Sequence, residues 1–219
     1  PIKRLSARGK IVEVLGGHLD PGLEIEVAIR SHDIPSSWND HVLAEASSFE
    51  QPNLSEIESR FDLRGRAFVT IDGEDARDYD DAVYCEEKDD GWRLWVAIAD
   101  VSHYVRPNTA LDEEAINRGN SVYFPDRVVP MLPENLSNGL CSLLPLEDRL
   151  ALVCEIHINR QGESNHFAFY ESVIKSKARL TYGQVYNILE GNDDLEGNPD
   201  VNSNLLRLFD LYKTLVHAR

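Results

Sequence analysis

Thr70-Ile71-Asp72-Gly73-Glu74-Asp75-Ala76-Arg77-Asp78-Tyr79-Asp80-Asp81-Ala82 is the stretch on which the reading of this chain turns. Six carboxylates fall within ten residues, 72–81, and only Arg77 opposes them. Residues 67–71 before the run and 82–85 after it are apolar, so the run is pinned between two segments that read as buried strands. Carboxylates held together at a strand end repel one another unless protons or cations intervene. Hard divalent cations with oxygen ligands suit such a cluster. Two of them about 4 Å apart would orient a water and stabilise an in-line displacement at phosphorus. By spacing alone, the run reads equally well as a solvated acidic surface loop.

The rest of the chain sets bounds. Its 219 residues suit one domain, or one domain and part of another, and 42% hydrophobic content supports a packed core. No apolar run is long enough to span a membrane and no signal peptide opens the chain, so the expectation is a cytoplasmic protein with no membrane partner. Cys85, Cys141 and Cys154 lack the Cys-x-x-Cys spacing of a zinc site and read as reduced core residues. Lys and Arg number 22 against 38 Asp and Glu, a net charge of −16. That balance lacks the basic footprint of a self-sufficient nucleic-acid binder. The acidic run and residues 190–200 supply part of the excess. The opening Pro1 and the single methionine, Met131, suggest an excised fragment.

Residues 9–14 and 23–30 read as strands separated by Gly16-Gly17 and Pro21-Gly22 turns, and residues 47–60 as a connector with a short helix. Residues 66–71, 81–85 and 92–99 read as strands, the last entered through the Asp89-Asp90-Gly91 turn. Thr109 is placed to cap a helix, with Asp112 at the capping-box position and Gly119 beyond its end. Residues 148–159 and 166–175 form a hairpin around Gln161-Gly162. Thr181 opens a helix ending at Gly191. A second helix, over residues 203–217, presents Leu205, Leu208, Phe209, Tyr212, Leu215 and Val216 on one face.

The spacing Asp72-x5-Asp78-x-Asp80-Asp81 resembles the catalytic signature of the ribonuclease II/ribonuclease R family, the RNB-domain exoribonucleases. Three further blocks match that family in order: Val96-Ala97-Ile98-Ala99-Asp100-Val101-Ser102-His103-Tyr104-Val105; Asn117-Arg118-Gly119-Asn120-Ser121-Val122-Tyr123-Phe124-Pro125; and the run from Val129-Pro130-Met131 to Cys141-Ser142-Leu143. The insert Gly73-Glu74-Asp75-Ala76-Arg77 is more similar to the ribonuclease R branch. The resemblance implies an α+β fold: mixed or antiparallel sheets with flanking helices, preceded by the tail of a β-rich cold-shock/OB-like domain. It puts that tail and a connector at residues 1–60 and the first part of an RNB catalytic domain at 61–219.

The resemblance further implies processive 3′-to-5′ hydrolysis of single-stranded RNA, releasing 5′-nucleoside monophosphates with two Mg²⁺ ions, or Mn²⁺. Asp72 and Asp81 would ligate one ion directly, and Asp78 and Asp80 would hold a second ion or its waters. Because Asp80 and Asp81 are adjacent, a bend or bulge is expected between them. Tyr123 would stack on bases near the 3′ end, with Phe124 as the core residue of the pair; the alternative is an ordinary core tyrosine. Arg118 is a candidate phosphate contact or else a surface arginine at a helix C-terminus. His103 and Tyr104 read as core. The remainder of the parent RNB domain and a C-terminal RNA-binding domain would be the macromolecular partners, and the isolated chain would be inactive or weak. The competing functions are a non-catalytic RNA-binding or adaptor fragment retaining an RNB fold, and a phosphoesterase acting on a small substrate.

Overall fold

The structure, a computed structural model, describes residues 9–17, 20–192 and 198–218. Among the described residues three helices come first: α1 (Leu23–Ser31), α2 (Asp40–Ser47) and α3 (Leu54–Glu58). They lead into β1 (Phe61–Asp62), β2 (Val69–Asp72), β3 (Asp81–Lys88) and β4 (Gly91–Ala99). Helices α4 (Val101–Tyr104) and α5 (Ala110–Arg118) are followed by β5 (Val122–Tyr123), β6 (Val128–Val129) and one π-helical turn, Asn135–Leu140. The chain closes with β7 (Asp148–Asn159), β8 (Ser164–Lys175), β9 (Ala178–Thr181), α6 (Tyr182–Leu189) and α7 (Pro199–His217).

Among the described residues, seven strands form one mixed sheet in the order β1-β8-β7-β4-β3-β2-β9, and β5 pairs with β6 apart from it. The four central pairings are antiparallel, whereas β1 on β8 and β9 on β2 are parallel. The tight β3–β4 connection depends on Gly91, where an added Cβ would come within 2.0 Å of the Ile158 carbonyl oxygen. Helices cover both faces. On one, Phe68, Ala82, Trp95, Ala97 and Val153 pack with Val42 and Ala46 of α2, Leu111 of α5, and Leu136. On the other, Val69 and Leu180 meet Ile188, Val201 and Leu205 from α6 and α7, while Cys85, Trp92 and Ile158 meet Leu211. Asn204 fastens α7 to the sheet. Fully buried, it accepts from the Cys85 amide at 2.8 Å and donates to the Ala67 carbonyl at 3.0 Å.

Several expectations need correction. Residues 23–30 form a helix, not a strand. Leu23, Ile25, Val27 and Ile29 alternate like a strand, yet only Ile25 and Ile29, one helical turn apart, are buried. Acidic Glu24 and Glu26 in the first turn and Arg30 in the last favour the helix. Residues 9–14 form no strand. Helix α2 was not foreseen, although Asn39 caps it by accepting from the Val42 amide at 2.9 Å. Both α2 and α3 lie before residue 60, yet Val42 and Ala46 are part of the main core. Of the expected face of α7, Leu205 is buried and Leu208 and Leu215 pack in part beside Leu211, with Val201 and Asn204 completing the buried face, while Phe209, Tyr212 and Val216 are at least partly exposed. Residues 193–197 of the acidic run after α6 lie outside the described residues.

Candidate functional site

The acidic run is the connection from β2 to β3 at one end of the sheet. Asp72 closes β2 beside Thr181 of β9. Asp81 opens β3 opposite Ile98, and the register with β4 runs without a shift from Lys88↔Gly91 to Asp81↔Ile98. The Asp80 carbonyl extends this pairing by accepting from the Ala99 amide at 2.8 Å. The expected bend between Asp80 and Asp81 is therefore absent; the turn comes earlier, where the Ala76 amide donates to Gly73.

Packing anchors the loop at both ends. Arg179 Nη2 donates to the Gly73 and Glu74 carbonyls at 2.8 and 2.7 Å, holding the first turn. Ser142 holds residues 77–79: its hydroxyl donates to the Arg77 carbonyl at 3.1 Å and accepts from the Tyr79 amide at 3.0 Å. The Leu143 amide donates to the Tyr79 carbonyl at 2.8 Å. These anchors were missed in the sequence. The available signal was a polar serine inside the apolar run 140–144, where a buried hydroxyl needs a partner.

The anchored loop concentrates negative charge. Burial and the Asp81 carboxylate push the Asp72 carboxyl above its ordinary range, with the Thr70 hydroxyl and then Arg179 partly offsetting the rise. Desolvation by the surrounding protein, then Asp78, Asp81 and Asp72, do the same to Asp80, although Asp80 itself is exposed at the surface. All four aspartates are therefore in one electrostatic neighbourhood. Among the described residues, no three carboxylate, imidazole or thiol side chains are gathered tightly enough to hold an ion as they stand. The donor set nevertheless fits a hard cation. Every donor is a carboxylate oxygen, and Asp72 Oδ2 is buried with no hydrogen-bond partner.

Tyr123 belongs to the same place. Its hydroxyl donates to Asp78 Oδ2 at 3.0 Å while the residue remains 66% exposed. Burial and the Asp78 carboxylate raise the phenol's pKa. Phe124 turns instead into a small cluster with Ile25, Ile29 and Val129. Arg118 does not join the site as a phosphate contact. Its side chain is 2% exposed, ion-paired to Glu114 at 2.8 Å, and donates to the carbonyls of Pro130 at 3.0 Å and Ser37 at 2.7 Å. Its guanidinium lies 3.3 Å from the centre of the Trp38 ring. These contacts satisfy the fork and make Arg118 a tie between α5 and two loops. Tyr104 is buried, and His103 pairs with Glu56 at 3.2 Å, next to the buried Arg60–Asp100 ion pair at 2.6 Å.

Among the described residues, no helix is long and apolar enough to cross a membrane. Cys85, Cys141 and Cys154 are free thiols; burial raises Cys85 and Cys141 to about 12.

Residues 1–39 match the cold shock domain family. Ribonuclease R of Vibrio parahaemolyticus is 56% identical over 215 residues, which is 96% of this chain and 26% of that protein. Ribonuclease R of Escherichia coli is 53% identical over 222 residues, covering all of this chain and 27% of that protein. The structure of Mycoplasma genitalium RNase R in complex with double-stranded RNA superposes with a TM-score of 0.89 at 38% identity, over 92% of this chain and 36% of that one. The chain thus spans about a quarter of the length of these curated relatives. Residues 60–219, well over half the chain, match the RNB domain, and the chain belongs to the RNB-domain family.

Proposed function

We propose that this chain is part of a 3′-to-5′ exoribonuclease that hydrolyses single-stranded RNA from its 3′ end to 5′-nucleoside monophosphates. The observation that carries the reading is the acidic loop between β2 and β3. It puts four mutually repelling aspartates, one with an unpartnered buried oxygen, beside an exposed tyrosine in an RNB-family chain. Mg²⁺ or Mn²⁺ bound there would supply an activated water and neutralise charge on the phosphate. Asp72, Asp78, Asp80 and Asp81 are the residues to hold it. Asp72 does so from a rigid strand end, and Asp78 from a loop fixed by packing. Tyr123 presents an open ring on which a base of any identity stacks, which suits an enzyme that does not read sequence.

The division of labour extends beyond this chain. A net charge of −16 opposes binding of a polyanion. Arg118, the arginine proposed for phosphate, is committed to the fold. Ile98, Leu152, Phe167 and Phe169 remain as exposed apolar side chains on the sheet. In the proposal, the remainder of the parent RNB domain covers them, and a C-terminal RNA-binding domain supplies the basic grip. The boundary between the cold-shock-like tail with its connector and the catalytic part is placed at residues 60/61. The free cysteines suit a reducing cytoplasm.

The test is hydrolysis of a single strand by the full-length parent with Asp80→Asn. Hydrolysis is lost while RNA binding survives, because one charge is removed from the site and the stacking surface is untouched. Normal turnover of that variant at saturating Mg²⁺ removes Asp80 from the mechanism.

A further inference from the structure

The β2–β3 loop carries charges that push one another apart, so something other than its own sequence must hold it. Ser142 is fully buried in the run Leu140-Cys141-Ser142-Leu143-Leu144. Its hydroxyl donates to the Arg77 carbonyl at 3.1 Å and accepts from the Tyr79 amide at 3.0 Å, so it grips the backbone on both sides of Asp78. The Leu143-to-Tyr79 and Ala99-to-Asp80 bonds, both 2.8 Å, continue the grip. The carbonyl of Ser142 accepts in turn from Arg149 Nε at 2.9 Å. Arg149 is 2% exposed and is fixed by Gln51 Oε1 at 2.8 Å and the Asp148 carbonyl at 3.0 Å.

We infer that Ser142, backed by Arg149, is a positioning residue that holds Asp78 and Asp80 in the arrangement a divalent cation requires. The inference rests on the proposed reading of the loop as the cation-holding site. Asp72 and Asp81 are placed by strand pairing. Asp78 stands on the loop and has no such support, and the 77–79 backbone is where Ser142 acts. Without the hydroxyl, the Tyr79 amide and the Arg77 carbonyl lose their side-chain partner, and carboxylate repulsion opens the loop. The cost should fall on cation affinity more than on RNA affinity, since Ser142 is buried and faces the loop backbone.

The experiment uses the full-length parent enzyme with Ser142→Ala, Ser142→Thr and Arg149→Lys. Ser172→Ala is the control for losing a fully buried serine hydroxyl, one whose bond goes to Tyr170 within β8. Two quantities are read: the Mg²⁺ concentration giving half-maximal hydrolysis, and RNA affinity in EDTA. A third, the rise in melting temperature on adding Mn²⁺, needs no activity. Ser142→Ala should raise the Mg²⁺ requirement about tenfold or more, as losses of outer support to metal ligands do, and shrink the Mn²⁺-induced shift with RNA affinity in EDTA unchanged. Ser142→Thr, which keeps a hydroxyl, should restore most of the difference. Arg149→Lys should move the Mg²⁺ requirement in the same direction, and Ser172→Ala should not move it. Ser142→Ala and Arg149→Lys that lose thermal stability but keep the wild-type Mg²⁺ requirement overturn the inference. Asp80→Asn runs alongside: if it is fully active, the reading of the site itself fails, whereas an inactive Asp80→Asn with an unshifted Ser142→Ala sinks only the positioning role.

Discussion

Replacing Arg118 by alanine separates a structural tie from a phosphate hand. The side chain is 2% exposed and its Glu114 partner 15%, so the pair is desolvated. Truncation leaves Glu114 with only a long bond from Asn117, takes the Arg118 donors from the Ser37 and Pro130 carbonyls, and uncovers the Trp38 ring. Breaking a buried ion pair by removing one partner costs about 3–5 kcal/mol. For a domain of this size each kcal/mol moves the midpoint by roughly 2–4 °C, so Arg118→Ala should lower Tm by roughly 10 °C. Thermal unfolding by circular dichroism reads this directly. Arg118→Lys should recover little, because a point charge cannot serve three acceptors and a ring face at once. RNA affinity measured well below the lowered midpoint should match wild type. An unchanged Tm for Arg118→Ala, together with weakened RNA binding that lysine rescues, would refute the structural assignment.

Other consequences can be measured independently. Tyr123→Ala in the parent enzyme should lengthen the final products, because one lost stacking platform costs about 1–3 kcal/mol; gel analysis showing an unchanged limit length argues against a base-stacking role. Asp72 and Asp80 both have raised pKa values in the metal-free fold. Below the ordinary carboxylate range both states are protonated and nothing is lost. As pH rises through that range toward the raised folded values, the unfolded chain ionises first and the fold loses stability. Asp80→Asn should therefore raise the metal-free Tm at about pH 7 and lose that advantage near about pH 3; equal shifts at both pH values contradict the crowding argument. Asn204→Ala should cost about 2–4 kcal/mol, since it leaves the Cys85 amide and the Ala67 carbonyl buried and unpaired; a urea-derived loss below about 1 kcal/mol counts against Asn204 as the fastener of α7.

Much of the catalytic part could be read from sequence because its signals are local. β7 runs into the turn at Gln161-Gly162, so its bounds, Asp148–Asn159, match the expectation. Thr181 caps α6 through a complete capping box, and Gly119 follows α5 as expected. The sheet with flanking helices follows from those elements. The N-terminal segment misled because four apolar side chains alternating over seven residues fit a strand as well as a short amphipathic helix. The charges at its two ends were the deciding cue. At the site, the aspartates and Tyr123 could be located in sequence, and Tyr123 does reach Asp78. The grip of Ser142 on the loop, and the withdrawal of Arg118 into a cage of carbonyls and an indole, depend on contacts between residues 65 and 81 positions apart. No local pattern encodes such contacts.

The central claim is that the aspartates of the β2–β3 loop hold divalent cations. Crystals of this chain soaked in Mn²⁺ and measured at the manganese edge test it most directly. The account predicts anomalous peaks within about 2.2 Å of carboxylate oxygens of Asp72 and Asp81, with Asp78 and Asp80 ligating directly or through water. It also predicts that those peaks vanish in crystals of Asp72→Asn. Manganese bound elsewhere while the four aspartates stay free of it, or peaks unaffected by Asp72→Asn, would contradict the account.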